Sequence, residues 1–170
     1  QKSISKVCLS LDRNMFDPYL LHGVTGSGKT EVFIEATRHA ISQGKSVVVL
    51  LPEISTTPQI AGRFRSVFGD DVAVWHSKLS HSSRSWIWKK ICEGDFKIIV
   101  GARSAIFTPL KNLGLIIVDE EQENAYKQTS SSPKYHAKEV SLMRGKINNA
   151  TVILSSATPS ICLLYTSPSP

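Results

Sequence analysis

An α/β fold, with a mostly parallel sheet and helices on both faces, is the architecture that this sequence of 170 residues predicts. Short apolar runs rich in Val, Ile and Leu alternate with longer segments of helical periodicity, as in βαβ units. A glycine-rich loop follows the first apolar run, and an acidic pair follows a later one. Because the carboxyl ends of parallel strands share one edge of a sheet, we expect both motifs at that edge.

The elements follow one another at short intervals along the chain. An opening amphipathic helix is indicated by Ile4, Val7, Cys8 and Leu11, which recur at helical spacing. Nearly continuous apolar runs are typical of strands buried on both faces, and they predict strands at 19–22, 46–51, 72–75, 97–100, 115–118 and 151–154. Helical patterns, several of them closed by glycine, predict helices at 29–43, 58–68, 82–92 and 135–146. The segment 129–133 is expected to be a loop.

The last nine residues, CLLYTSPSP at 162–170, are interpreted separately. They resemble the translated read-through of a transposon adapter, although a natural Ser/Pro-rich linker has the same composition. We favour a non-native tail and therefore expect one domain at residues 1–161, cut from a longer protein.

The composition excludes some classes of protein. No apolar run approaches the roughly 18 residues that a membrane span needs, and no secretory leader opens the chain, so a cytoplasmic protein is expected. Three widely separated cysteines support neither a zinc site nor a disulfide framework. The formal net charge of +6 suits a polyanionic partner such as DNA, but this is weak support on its own.

A phosphate-binding loop is predicted at residues 23–30, GVTGSGKT, which match the pattern G-x-x-x-x-G-K-[ST] in full. Glycines let successive backbone N–H groups face phosphate oxygens, and the following helix directs its positive dipole end at the same anions. Lys29 is expected to reach the β- and γ-phosphates of a nucleotide, and the Thr30 hydroxyl to bind Mg²⁺. A plain glycine-rich turn is the simpler interpretation, disfavoured by the complete match. The predicted nucleotide-binding residues are Gly23, Thr25, Gly26, Ser27, Gly28, Lys29 and Thr30.

An acidic motif follows the apolar strand at 115–118. Asp119 is placed to hold Mg²⁺ opposite Thr30, and Glu120 to orient or deprotonate the attacking water. Glu121 is expected to face solvent. A solvated acidic strand end would be preferred if Asp119 stood alone, but the phosphate-binding loop upstream favours the functional interpretation.

A third motif, Ser-Ala-Thr at 156–158, follows the last predicted strand. Ser156 and Thr158 are candidate sensors of the γ-phosphate. The tripeptide is weak evidence by itself, and its value lies in the order of the three motifs, each of which comes after an apolar strand.

This ordered set resembles the superfamily 2 helicases and, within them, the replication-restart helicases of the PriA family (primosomal protein N′). The matching stretches span nearly all of residues 20–160: LLHGVTGSGKTEVFIEA (20–36), LLPEISTTPQ (50–59), VGARSAIFTP (100–109), LGLIIVDEEQ (113–122), YKQ…YHAKE (126–139) and SSATPS (155–160). The resemblance implies the first RecA-like P-loop NTPase domain of a 3′-to-5′ DNA helicase that acts at stalled or abandoned replication forks. It also implies ATP and Mg²⁺ as ligands, primosome and single-strand-binding proteins as partners, and zinc only in parts of the family outside this segment.

The resemblance also implies a set of DNA-facing residues. They are Pro52, Glu53, Thr57, Gln59, Arg103, Ser104, Tyr126, Lys127, Tyr135 and His136. Tyr126, Lys127, Tyr135 and His136 lie in what looks like the family's aromatic-rich loop, which links DNA binding to hydrolysis. Aromatic rings beside cations suit single strands, because stacking tolerates any base. Without the resemblance, an ion pair for Arg103 and helix packing for Tyr135 would be preferred.

One residue departs from the family pattern. Gln122 stands where the acidic box usually ends in His, and it is placed with Lys29, Asp119 and Glu120 among the catalytic candidates, since either side chain can hydrogen-bond the sensor segment. Two alternatives stay open: another superfamily 2 translocase of recombination or repair, and a nucleotide-binding module without motor activity. Because the second RecA-like domain commonly supplies an arginine to the transferring phosphoryl group, this domain alone is expected to hydrolyse ATP very slowly.

Overall fold

The computed structural model describes residues 2–23, 28–52, 57–130 and 132–158. Among these residues, six parallel strands form the main sheet: β1 (Asp17–His22), β2 (Ser46–Leu50), β3 (Val72–Trp75), β4 (Ile98–Gly101), β5 (Leu113–Val118) and β8 (Thr151–Ser156). Their order in the sheet is β1-β8-β5-β2-β4-β3. All six predicted strands are confirmed, with ends that differ by at most two residues.

Helices cover both faces of this sheet. The helices of the described part are α1 (Lys2–Arg13), α2 (Lys29–Ser42), α3 (Thr57–Phe68), α4 (His81–Glu93) and α5 (Ala137–Asn148). Alternate residues of β2 belong to two different cores, since Val47 and Val49 pack with α1, α2 and α3, whereas Val48 and Leu50 pack with α4 and α5. The period of two in side-chain direction explains why a strand buried on both faces is apolar at every position.

The carboxyl ends of the strands meet at one edge, as predicted. Backbone hydrogen bonds continue the sheet past the strand ends: Gly23 N–H donates to Ser156 O (3.1 Å), Asp119 N–H to Leu50 O (3.0 Å), and Leu51 N–H to Gly101 O (2.8 Å). The three motifs found in the sequence therefore lie side by side on β1, β8 and β5.

Gly101 marks a close approach between β4 and the edge strand β3. A Cβ atom built at Gly101 would lie 2.1 Å from the carbonyl oxygen of Trp75, far inside van der Waals contact. Only glycine fits there, and it lets the chain turn directly into the 3₁₀ segment that begins at Arg103.

A small hairpin interrupts the last predicted helix. Lys127–Gln128 (β6) pairs antiparallel with Tyr135–His136 (β7), so α5 begins at Ala137 and the predicted start at 135 is wrong. The described residues of the predicted loop, 129, 130, 132 and 133, lie between the two strands of this hairpin. The non-native tail expected at 162–170 lies outside the described residues. Among the helices that the structure describes, none is both long and apolar enough to cross a membrane.

Candidate active site

Lys29 is the first residue of α2 and the best-placed cation of the site. Gly28 precedes it with a φ of 84°, a left-handed conformation that glycine adopts without strain. The Lys29 ammonium, largely buried, donates to Gly23 O at 3.1 Å and to Glu120 Oε1 at 3.0 Å. Thr30 follows in the first turn of the same helix. The loop residues Thr25, Gly26 and Ser27 lie outside the described residues.

Asp119 lies directly after β5 and is mostly buried. Its Oδ1 accepts hydrogen bonds from the Ser155 hydroxyl (3.0 Å) and from the Glu120 backbone N–H (3.1 Å). Burial raises the pKa of Asp119, and the neighbouring Glu120 charge adds to this effect, although the Ser155 hydrogen bond and Lys29 oppose it. A carboxylate that burial disfavours in this way is suited to a nearby cation.

Glu120 presents its carboxylate to two motifs at once. The residue has a φ of 46°, uncommon for a residue other than glycine, and this backbone turn directs the side chain back toward the phosphate-binding loop. Oε1 accepts from Lys29, and Oε2 accepts from Gln122 Nε2 at 2.9 Å. Burial is the largest influence on the pKa of Glu120 and would raise it, but hydrogen bonds from Gln122 and Lys29 outweigh burial and lower it.

Gln122 connects the acidic motif to the sensor segment. Its side-chain oxygen accepts from the Ser156 hydroxyl at 2.6 Å, while its side-chain nitrogen donates to Glu120. Ser156 Oγ in turn accepts from the Thr158 backbone N–H at 3.0 Å. A continuous chain of hydrogen bonds therefore runs from Lys29 through Glu120 and Gln122 to Ser156, as expected if Gln122 replaces a histidine in this position.

The donor set fits a magnesium–nucleotide complex. Within the described residues, no group of three or more His, Cys, Asp or Glu side chains is arranged to hold a metal by itself. A phosphate-bound Mg²⁺ does not need such a group, because one carboxylate and one hydroxyl complete a shell that phosphates and waters supply. Asp119 and Thr30 are the residues that would provide them.

Several of the predicted DNA-facing residues lie along the same sheet edge. Pro52 follows β2, Thr57 begins α3, Gln59 is exposed in its first turn, and Ser104 is exposed just after β4. Glu53 lies outside the described residues. Arg103 donates through Nη1 to the backbone oxygens of Ala125 (3.2 Å) and Lys127 (3.1 Å), so it holds the base of the hairpin.

The hairpin carries the remaining members of that set. Lys127 is exposed on β6, and Tyr135 and His136 are half-buried on β7. The Tyr135 ring packs edge-on against Phe107, with ring centroids 5.0 Å apart. His136 caps α5, because its Nδ1 accepts from the Lys138 backbone N–H at 3.3 Å, and burial lowers the pKa of this imidazole.

A family model decides the assignment. The model of the DEAD/DEAH box helicases matches residues 1–163, nearly the whole chain. The chain belongs to the DEAD/DEAH box helicase family. The predicted RecA-like fold is that of this helicase domain.

Two relatives with similar sequences narrow the resemblance further. "Replication restart protein PriA" of Chlamydia pneumoniae is 53% identical over 161 residues, which are 95% of this chain and 22% of that protein. The protein of the same name from Bacillus subtilis is 49% identical over 152 residues, 89% of this chain and 19% of that protein. The helicase domain thus spans about a fifth of the length of these relatives.

A solved structure supports the fold independently. The structure of RecG bound to a three-way DNA junction superposes with a TM-score of 0.65 at 22% identity, covering 98% of this chain and 22% of that one. At this identity the likeness concerns the architecture alone.

Tyr126 corrects one DNA-facing prediction for the helicase domain. The side chain is fully buried, and its hydroxyl donates to Leu50 O at 3.0 Å and to Asp119 O at 2.5 Å. A direct contact of Tyr126 with DNA is therefore excluded by the structure. The hydroxyl instead joins the ends of β2 and β5 directly beneath the acidic motif.

Glu121 corrects a second prediction. It was expected in solvent, but its side chain is fully buried and accepts from Lys138 Nζ at 2.9 Å. The physical reason is the left-handed turn at Glu120, which sends the next side chain inward.

Two residues of the site, Lys138 and Ser155, were not predicted from the sequence. Ser155 could have been predicted, because it adjoins the sensor motif at 156–158. Lys138 could not, because nothing in its sequence spacing indicates a contact with Glu121.

Proposed function

We propose that this chain is the first RecA-like motor domain of an ATP-dependent DNA helicase that unwinds forks in the 3′-to-5′ direction during replication restart. The hydrogen-bonded chain from Lys29 through Glu120 and Gln122 to Ser156 carries the proposal. It joins the phosphate-binding loop, the acidic motif and the sensor, and a motor needs these three to respond together. The names of the two relatives support the replication-restart assignment.

Binding of ATP would rearrange this series of hydrogen bonds at Lys29. The ammonium would leave Glu120 Oε1 for the β- and γ-phosphates, while Thr30 and Asp119 would hold the accompanying Mg²⁺. The metal supplies charge neutralisation at the phosphates when bound. Glu120, released on one oxygen and still held on the other by Gln122, would orient the attacking water and accept its proton.

DNA would lie along the carboxyl edge of the sheet, away from the nucleotide. Pro52, Gln59 and Ser104 and the exposed Lys127 are the described candidates for this contact. The excess of Lys and Arg, 20 against 14 acidic residues, favours a polyanionic partner. We further propose a cytoplasmic protein that works with primosome and single-strand-binding proteins, on the strength of the relatives' names.

The test is nucleotide binding by the 170-residue chain, with a fluorescent ATP analogue and Mg²⁺. Lys29→Ala is expected to weaken binding by about tenfold or more, since a charge-assisted contact to phosphate is lost. Glu120→Gln is expected to retain binding and, in the full-length helicase, to block turnover. Lys111→Ala, which removes an exposed lysine elsewhere, is the matched control.

Three results would contradict the proposal. One is a Lys29→Ala variant that binds the analogue as tightly as wild type does. Another is a Glu120→Gln variant with undiminished turnover, which would remove this residue from the mechanism. Binding without any DNA-stimulated turnover in the full-length protein would indicate a nucleotide-binding module instead of a motor.

A further inference from the structure

We propose that the buried ion pair between Glu121 and Lys138 positions the catalytic carboxylate of Glu120 and couples it to the β6–β7 hairpin. The inference rests on the proposed function, in which DNA contacts the hairpin side of the sheet edge and Glu120 acts on water. It assigns a role to two residues that the mechanism above does not use.

The Glu121 carboxylate is fully buried, and Lys138 is a cation that stabilises its charge. The Glu121 side chain has no exposed surface and that of Lys138 is about one-fifth exposed, with Lys138 Nζ 2.9 Å from Glu121 Oε2. A buried carboxylate left without its cation is strongly disfavoured, so the two side chains are expected to move together. Lys138 also lies in the first turn of α5, where the helix dipole disfavours a cation. Helix stability therefore does not explain a lysine here, whereas the Glu121 carboxylate does.

Movement of Glu121 would change the backbone at Glu120. The Glu121 N–H donates to Ser155 O at 2.8 Å, and on the other side Tyr126 holds the Asp119 carbonyl. Between these two anchors Glu120 is kept at a φ of 46°, a conformation that persists only when the surroundings fix it. A shift of either anchor would turn the Glu120 carboxylate away from Lys29 and Gln122.

Lys138 is tied in the other direction to the hairpin. Its backbone N–H donates to the His136 ring, and His136 pairs across the hairpin with Lys127. Lys127 is exposed, and its carbonyl oxygen is held by Arg103 from the segment after β4. A displacement of the hairpin by DNA would therefore reach α5 at its first turn, pass through the ion pair and arrive next to the catalytic carboxylate. The described contacts form an unbroken path over this distance.

The experiment measures ATP turnover by the full-length helicase with and without single-stranded oligothymidine. Lys138→Met is expected to reduce the stimulation by DNA about tenfold, within the usual range of coupling free energies, while the affinity for the fluorescent ATP analogue stays within about twofold. Lys138→Arg, which keeps the charge, is expected to restore most of the stimulation. Lys146→Met, at the exposed end of the same helix, is the matched control and should change neither quantity.

A second variant guards against simple misfolding. The double variant Glu121→Gln/Lys138→Met removes both charges and should fold even where the single variant does not. It is expected to show the same loss of DNA stimulation, because the path is broken once in either case.

The outcomes are distinguishable. Unchanged stimulation in a folded Lys138→Met or double variant would overturn the inference. So would an equal loss of basal and stimulated turnover, since that indicates a purely structural ion pair. If wild type itself bound no nucleotide, or if DNA did not stimulate its turnover, the proposed function would fail first and the inference with it.

Discussion

Replacement of Tyr126 by Phe tests the support beneath the acidic motif. The ring stays and fills the same space, so the change removes only the hydroxyl that donates to Leu50 O and Asp119 O. Burial raises the pKa of Tyr126 well above its ordinary value, and the charges of Asp119 and Glu120 add to this shift. The hydroxyl is therefore a protonated donor throughout the working pH range.

The expected loss of unfolding free energy depends on which hydrogen bonds each of the two carbonyl acceptors keeps in the Tyr126→Phe variant. Leu50 O still accepts from the Asp119 backbone N–H at 3.0 Å, so its loss is partly compensated. The Asp119 carbonyl loses its short hydrogen bond at a partly buried site. One poorly compensated acceptor in such a place costs about 1–3 kcal/mol of unfolding free energy. For a domain of this size each kcal/mol corresponds to about 2–4 °C in Tm.

Urea denaturation of the 170-residue chain, followed by circular dichroism, measures this loss. Ser104→Ala removes a hydroxyl from an exposed side chain and is the control, with an expected change within about 0.5 kcal/mol. A Tyr126→Phe variant as stable as wild type would refute the reasoning, because the hydroxyl would then be no anchor for the backbone at Asp119.

The remaining predictions concern backbone packing and charge. In the same urea assay, Gly101→Ala should lower the unfolding free energy by more than about 2 kcal/mol, because the added Cβ would clash with the Trp75 carbonyl oxygen. Gly62→Ala in α3 is the control and should be neutral or stabilising, because the added Cβ meets no described atom within 4 Å. Asp119→Asn should stabilise the chain at neutral pH without nucleotide. Burial raises the pKa of Asp119, so the cost of its ionised form is present above the folded pKa and disappears as pH falls below the ordinary aspartate value. Glu120→Gln should show the opposite dependence: the lowered pKa of Glu120 gives a stabilisation that is present above the ordinary glutamate pKa and lost as pH falls through the lowered one. The unfolding free energy of each variant relative to wild type, measured between about pH 7 and about pH 3, tests these two opposite pH dependences. Parallel pH profiles for the two variants would contradict the prediction.

The parts of the molecule that sequence could predict are those in which many residues repeat one signal. β2 and β5 each carry four consecutive apolar side chains, so both strands are recognisable without any tertiary information. The phosphate-binding loop is recognisable because its glycines and Lys29 are fixed by the shape of a phosphate chain, whatever surrounds them. The shared sheet edge then follows from the parallel topology alone.

The parts that sequence could not predict depend on one conformation or one distant contact. β6 and β7 have two residues each, too few to show a period, so the sequence pattern places only β7, at 135–136, and wrongly makes it the start of the following helix. The left-handed turn at Glu120 decides which way Glu121 points, and Glu-Glu-Gln contains no glycine to announce it. Arg103 remains a predicted DNA-facing residue, but its hydrogen bonds to two carbonyl groups 22 and 24 residues away in sequence could not be predicted from its motif.

The two oxygens of Glu120 show how such local detail bears on the proposed mechanism. Oε1 is held by Lys29, the cation that phosphates would attract, whereas Oε2 is held by Gln122, which has no charge to lose. Arrival of a nucleotide would therefore free one oxygen selectively and leave the carboxylate aimed by the other. The Ala157 backbone N–H, 3.5 Å from Oε2, lies on the same side as Gln122 and favours the same orientation. In the proposed mechanism, the Glu120 carboxylate would be exposed only after Lys29 had bound a phosphate, and this order of events would limit proton transfer by Glu120 to the nucleotide-bound state.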